Sequence, residues 1–348
     1  VIVGLCALLV AVLGGGVYLA RFAEAEGPLA GSALEIDVPE GASSSEIAAL
    51  LHDQGAVSSR ALMAVYLWLS PRSFAPGNHL VDGGASPREL SQLLARSDGR
   101  PKVKVTIPEG FTMFAIAERL EKLRVVSRSE FLRIARDPQE LKRLEVQGTT
   151  KPIESAEGYL FPATYEFPKN CEAASVLERM VRESNRRWAR IAEDHEPALL
   201  ALQNELGWSR FEILTLASLV EKEAAVDDER PIIASVFLNR LTRDSFTPKL
   251  LQSDPSSAYD CLRRPTEVPS CKGFEGKVTP AMNRDKLNQY STYTNVGLPP
   301  GPIANPGERS LRAVLAPAHT DYLFFVAKGG GRHTFSESLA EHDKAIKR

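Results

Sequence analysis

The first 20 residues, Val1 to Ala20, carry no charge and are apolar almost throughout, and Arg21 closes the run. A stretch of roughly 20 apolar residues is what a helix needs to cross a bilayer. A signal-peptide core is the competing reading, but such cores usually span about 7–15 residues and end in small residues. The run passes Gly14, Gly15 and Gly16 and continues through Val17, Tyr18 and Leu19, which favours an uncleaved anchor over residues 1–20. Residues 21–33 then read as a tether rich in Gly, Ala and Glu. From Leu34 the pattern alternates (LEIDV), as in a half-buried strand, and stops at Pro39-Glu40-Gly41. Ser43 or Ser44 caps a helix with Ile47, Ala48, Leu50 and Leu51 on one face, and Ser58 or Ser59 caps another with Leu62, Val65, Tyr66 and Leu69. The same order recurs: an alternating strand over Val103 to Ile107, the turn Pro108-Glu109-Gly110, then helices over Phe114 to Leu123 and Ser129 to Ala135. Glu40 and Glu109 are 69 residues apart, and Val57-Ser58 and Val126-Ser127 keep that offset. An internal repeat of a strand-helix-helix unit explains it. Between the copies, Gly77 to Val81 supplies a strand and Ser86 to Leu94 a capped helix, so residues 34–150 read as one α+β region.

From Lys151 the pattern changes. Tyr159, Phe161, Tyr165 and Phe167 alternate along an extended segment, either building a sheet face or stacking on sugar rings. Ala173 to Glu193 follows as a long amphipathic helix and Pro197 to Leu206 as a further one. The segment Phe211 to Ala225 is apolar around most of its cylinder and so reads as a core helix, yet it ends in Glu221 and Glu223. Two residues apart on a helix means roughly 200° apart, so the two carboxylates cannot face one bond. Glu223 follows Leu219 and Val220 by helical spacing, an apolar setting that raises a carboxyl pKa and suits a general acid. Glu221 follows Ala217 and Ser218, and solvated helix-end charges are the alternative for both.

Composition narrows the class. The chain of 348 residues is 43% hydrophobic and 25% charged, enough for two or three cored domains. A net charge of -2 without a basic run leaves no footprint for nucleic acid, so none is expected as a partner. Downstream of the central helix, IIASVFLNRL places Asn239 and Arg240 beside an apolar stripe. Gln252 and Asp254 are two apart in an extended segment and can share a face, while a turn stabilised by Asp254 ahead of Pro255 is the default reading of the string alone. Tyr290 to Gly307 joins hydroxyl and amide groups to four prolines, a rigid polar wall suited to an uncharged carbohydrate. The glycines at 329–331 open no helix, so phosphate binding is not indicated, and His333 and His342 lack metal spacing. A packed or capping role is the reading for these histidines. Cys261 and Cys271 would close a loop disulfide in an extracytoplasmic domain, leaving Cys171 outside the pair.

Five strings in one order resemble the endolytic murein transglycosylases, the YceG-like family: LASLVEKEA (Leu216 to Ala224), SVFLNRL (Ser235 to Leu241), LQSDPSSAY (Leu251 to Tyr259), YSTYTNVGLPPGPIANPG (Tyr290 to Gly307) and HTFSESLAEH (His333 to His342). The resemblance implies an α+β protein with an N-terminal transmembrane helix, a LysM-like α+β region over 34–150, and a mixed α/β catalytic domain over 151–348 with a central glutamate-bearing helix. It implies Glu223 as the catalytic acid of a lytic transglycosylase. Such an enzyme cleaves within peptidoglycan glycan strands, between N-acetylmuramic acid and N-acetylglucosamine, and leaves 1,6-anhydro ends. No cofactor or metal is required. Gln252, Asp254, Tyr290, Thr292, Tyr293 and Asn305 are the candidates for binding the sugars, with Glu221, Asn239 and Arg240 supporting. The implied location is the bacterial cytoplasmic membrane, single-pass, with the catalytic domain outside. Termination of nascent strands is the implied role, which leaves room for peptidoglycan synthases as partners. The cysteine-bearing segment around RRPTEVPSCKGF departs from the commoner family pattern. A muramidase-type hydrolase using Asp254 or Glu221 to activate water, and a non-catalytic peptidoglycan-binding protein, are the rival readings.

Overall fold

The structure, a computed structural model, describes residues 14–39, 41–96, 102–146 and 153–347. It divides into two compact units, Val1–Val103 and Lys104–Arg348.

The first unit holds a helix whose described part covers residues 14–24 (α1), then β1 (Ala33–Val38), α2 (Ser44–Asp53), α3 (Arg60–Leu69), β2 (Gly77–Asp82) and α4 (Pro87–Arg96). β1 and β2 pair antiparallel, Ile36 opposite His79. Alternation in β1 turns Ile36 and Val38 inward, where they meet Ile47 and Leu51 of α2 and Met63 and Leu67 of α3. Phe22 and Ala23 of α1 are buried in the same core. Of the expected membrane span, residues 1–13 lie outside the described residues, as does Glu40 of the first repeat's turn. Among the described residues no helix is long and apolar enough to cross a membrane, so the structure lends the expected transmembrane helix no support.

The second unit begins in β3 (Lys102–Thr106) and continues through α5 (Met113–Lys122), α6 (Arg128–Ile134), α7 (Pro138–Arg143), β4 (Thr164–Pro168), α8 (Ala173–Asp194), α9 (Glu196–Leu206) and α10 (Arg210–Glu223). Then come α11 (Arg230–Thr242), α12 (Asp254–Arg263), α13 (Pro280–Arg284), α14 (Glu308–Leu315), β5 (Phe324–Gly329), β6 (Arg332–Ser336) and α15 (Leu339–Ile346). The elements of the two proposed copies run in parallel. α2 and α5 each run for 10 residues, start 69 positions apart and are capped by Ser43 and Thr112, whose hydroxyls accept from the backbone three residues on. The stretch 34–150 nevertheless spans both units. The second copy shares its core with the C-terminal elements, and the Phe114 ring lies 6.1 Å from that of Tyr259.

The core of this unit forms around α10. Ser209 and Glu212 make a capping box at its start, and apart from Glu212 every side chain from Phe211 to Val220 is buried. A helix buried all round needs small polar residues where other backbone comes close. Ser218 serves this way, donating to Thr215 O (2.7 Å) and accepting from Ile303 N (3.0 Å), which pins the proline-rich wall to the helix. The aromatic segment resolves as core: Tyr159, Phe161, Tyr165 and Phe167 are all buried.

Candidate active site

Glu223 is the last residue of α10 and is half-buried. Burial raises its carboxyl pKa above the ordinary 4.5, and the charge of Asp254 pushes it the same way. A hydrogen bond from Ser253 and the charges of His333 and Arg240 act in the opposite direction. Its position in the last turn, where unpaired carbonyl groups gather, also disfavours a negative charge. Ser253 Oγ donates to Glu223 Oε1 at 2.6 Å. That bond explains a local oddity: Ser253 is the N-cap of α12, yet its hydroxyl makes no cap bond, because it is turned to the acid instead.

Ser253 is itself held from behind. Its N–H donates to Thr292 Oγ1 at 2.9 Å, and Ser256 Oγ donates to Ser253 O at 2.6 Å and lies 3.0 Å from Thr292 Oγ1. Gln252, exposed beside it, takes φ +52°, a left-handed conformation that is uncommon outside glycine. Such strain persists only where the surroundings impose it, and here the Gln252 N–H is tied to Thr292 O at 3.1 Å. Asp254 is exposed; its Oδ1 accepts from Tyr293 Oη and Asn283 Nδ2, both at 2.7 Å. Burial and the adjoining Asp254 keep the Tyr293 phenol un-ionised, its pKa raised.

Of the residues singled out by sequence, Asp254 and Tyr293 lie close enough to Glu223 for their charges to interact, Gln252 adjoins Ser253, Thr292 stands behind Ser253, and Asn305 and Tyr290 lie elsewhere. Thr292 is buried and spends its hydroxyl on the Ser253 network. Asn305 is 0% exposed, its amide donating to Phe111 O and Glu157 Oε1 and its Oδ1 accepting from Leu160 N. Neither side chain has an atom left for a ligand. Tyr290 is buried against Tyr259, ring centroids 4.9 Å apart, and faces a different cavity.

Glu221 points to another partner set, as the helical angle demands. Its Oε1 lies 3.2 Å from Arg230 Nη1, and its Oε2 accepts from Gly307 N (3.0 Å) and Ser310 Oγ (2.7 Å). A Cβ on Gly307 would press on a different side chain, that of Glu109. Asn239 and Arg240 brace the chain entering β5. Asn239 Nδ2 donates to Thr320 O and Tyr322 O, both at 2.9 Å, and Arg240 donates to Leu323 O and Leu251 O, both at 2.6 Å. Burial pulls the Arg240 pKa down to about 10, still charged at neutral pH.

The sequence reading passed over Ser253 and the pair Glu229–His333. Ser253 stood between two chosen residues, directly ahead of Asp254-Pro255, and a serine before such a helix start was the available signal. Buried Glu229 accepts from the His333 N–H (3.1 and 3.2 Å) and lies 2.8 Å from its Nδ1. No local spacing could have announced a pair 104 residues apart. All three glycines at 329–331 have positive φ, which makes the β5–β6 turn, and the same turn sets Gly331 against Ala225.

Comparison with known proteins adds independent findings. The model of the YceG-like family matches residues 36–348. An endolytic murein transglycosylase of Bacillus subtilis (strain 168) is 30% identical over 323 residues, covering 90% of this chain and 83% of that protein. One from Streptococcus pneumoniae serotype 2 is 26% identical over 334 residues, 89% of this chain and 57% of that protein. The crystal structure of a yceG-like protein from Listeria monocytogenes superposes with a TM-score of 0.58 at 29% identity, covering 90% of this chain and 99% of that one.

Proposed function

The chain belongs to the YceG-like family, and from that footing we propose that it is an endolytic lytic transglycosylase of peptidoglycan with Glu223 as its acid. The observation that carries the reading is the state of the two carboxylates that could assist Glu223. Glu221 is consumed by Arg230, Gly307 and Ser310, and Asp254 is engaged by Tyr293 and Asn283. One carboxyl group with a raised pKa is left for the chemistry, which suits a reaction that needs no water and no second acid.

Protonated Glu223 gives its proton to the glycosidic oxygen as the bond from C1 of N-acetylmuramic acid breaks, the electron pair leaving with the N-acetylglucosamine oxygen. The acetamido oxygen of the same sugar relieves the positive charge at C1. The C6 hydroxyl then closes on C1, and its proton returns to the Glu223 carboxylate, so the acid is restored and a 1,6-anhydro end forms. Gln252, Asp254 and Tyr293 position the sugars; Ser253 holds the carboxyl group in place; Thr292 and Asn305 keep the wall rigid. The apolar run of residues 1–20 is proposed as the membrane tether, on its length and lack of charge, with the catalytic unit outside the cell membrane. The two strand-helix-helix copies are proposed as LysM-like, and peptidoglycan synthases, which make the strands, as partners.

Mass spectrometry of purified peptidoglycan after incubation with the wild type and with Glu223→Gln tests this. New 1,6-anhydro ends from the wild type alone are expected. Reducing ends in their place would mean a hydrolase and defeat the single-acid mechanism.

A further inference from the structure

A cavity of about 540 Å³ lies in the second unit, away from Glu223. Phe211 lines it, and Phe211 stands twelve residues before Glu223 on α10, roughly 18 Å along the helix axis. Three of its lining residues, Arg263, Arg264 and Glu267, come from the span closed by the Cys261–Cys271 disulfide. The staple and the small core of Val268 and Met282 around it hold this wall in place.

The charges of the cavity are of both signs and not all are satisfied. Arg264 is spent on Asp260 and Arg263 pairs with Glu154. The Arg263 Nη1 is buried and ion-paired with Asp260 Oδ1 at 3.6 Å, so both ends of this guanidinium are engaged. Arg136 lies over the Phe114 ring at 5.3 Å and is exposed, with no ion pair to a carboxylate among the described residues. The carboxylates of Glu154 and Glu267, though largely exposed, are held by these same arginines, Glu154 by Arg263 and Glu267 3.7 Å from Arg264 Nη1. Ile153, Phe211 and Pro302 supply an apolar floor.

An uncharged sugar makes little use of a guanidinium without a carboxylate partner, such as that of Arg136, which bonds a carboxylate more strongly than a hydroxyl. A short peptide bearing carboxylates and small apolar side chains matches it on both counts. We propose that this pocket binds the peptide stem that hangs from the glycan, with Arg136 taking a stem carboxylate and Ile153, Phe211 and Pro302 receiving its small side chains. The proposal rests on the peptidoglycan reading above. The reach agrees with it: an extended stem of about five residues spans roughly 17 Å, comparable with the offset from Glu223 along α10.

Two experiments with the full chain test it. In the first, kcat/KM for forming anhydro ends is compared on glycan strands carrying stems and on strands stripped of them by an amidase. A preference for stem-bearing strands of about tenfold is expected in the wild type, falling to about one in Arg136→Glu and in Ser155→Trp, which fills the cavity. Equal cleavage of both strands by the wild type, or a preference that survives both substitutions, overturns the proposal. In the second, saturation-transfer NMR reports binding of free stem tetrapeptide to Glu223→Gln protein, expected to disappear with either pocket substitution added. This second arm keeps the two readings apart. Peptide bound without cleavage of any strand would sink the lyase and leave the pocket, while cleavage without peptide binding would do the reverse.

Discussion

The acid is made by its neighbours. Glu223 is an ordinary glutamate whose protonated form is favoured by burial and by Asp254, and whose charged form is favoured by the hydrogen bond from Ser253. In the proposed mechanism the reaction starts from the protonated carboxyl, so activity is expected to fall as pH rises through the Glu223 pKa. Ser253→Ala removes a bond to the charged form, so the pKa moves further up. A hydrogen bond to a charged group contributes about 1.5 kcal/mol, which corresponds to about one pH unit. The expected outcome is an alkaline limb of the pH–rate profile displaced upward by about that amount, measured as kcat/KM on isolated strands. An unmoved or lowered limb would show that Ser253 does not govern the acid. Sequence spacing ranked Glu223 over Glu221 only weakly, through the apolar residues one turn back. The contact of Ser253 with Glu223 was not legible, because it depends on the N-terminus of α12 being brought to the C-terminus of α10, across 30 residues.

At the scale of elements, the end of α10 separates chemistry from scaffolding by helical angle. Glu221 and Glu223 are two residues apart and face opposite ways, one into the cluster of Arg230, Gly307 and Ser310, the other towards Ser253. Removing one member of a buried ion pair leaves the other uncompensated and costs about 3–5 kcal/mol. Glu221→Ala is therefore expected to lower unfolding stability by about that much in denaturant titration, while Glu223→Gln leaves stability nearly unchanged and abolishes anhydro ends. The reverse pattern would exchange their roles. The helices themselves were legible from periodicity and caps: the strong amphipathic pattern of α8, the apolar cylinder of α10 and the paired strand-helix-helix units all appear close to the expected places. The short α7 was not anticipated, although Asp137 caps it and Pro138 opens it.

For the whole molecule, the core of the second unit is closed by a buried acid. Glu157 accepts from the Met113 N–H (2.9 Å) and Asn305 Nδ2 (2.6 Å) and joins segments more than 140 residues apart. Burial raises its pKa from 4.5 to about 7 despite those bonds. A carboxyl raised in the folded state contributes stability that is complete below the unfolded pKa and is lost as pH climbs through the folded one. Between about pH 4.5 and 7 the loss amounts to about 3 kcal/mol. Unfolding free energy measured across this window should therefore decline more steeply in the wild type than in Glu157→Gln, which has no proton to lose; parallel slopes would refute the assignment. What the sequence determined by itself was local or modular: helices and strands follow from the period of apolar residues, the repeat from an offset of 69, and the acid-bearing helix and family from contiguous strings. The tertiary structure decided which polar residues remain available. Thr292 and Asn305 carry the same groups as surface residues would, but folding buries them and fills their hydrogen bonds, while Asp254 and Tyr293 stay near the acid. A side chain's chemistry is written in the sequence, whereas its remaining donors and acceptors depend on which distant backbone arrives to claim them.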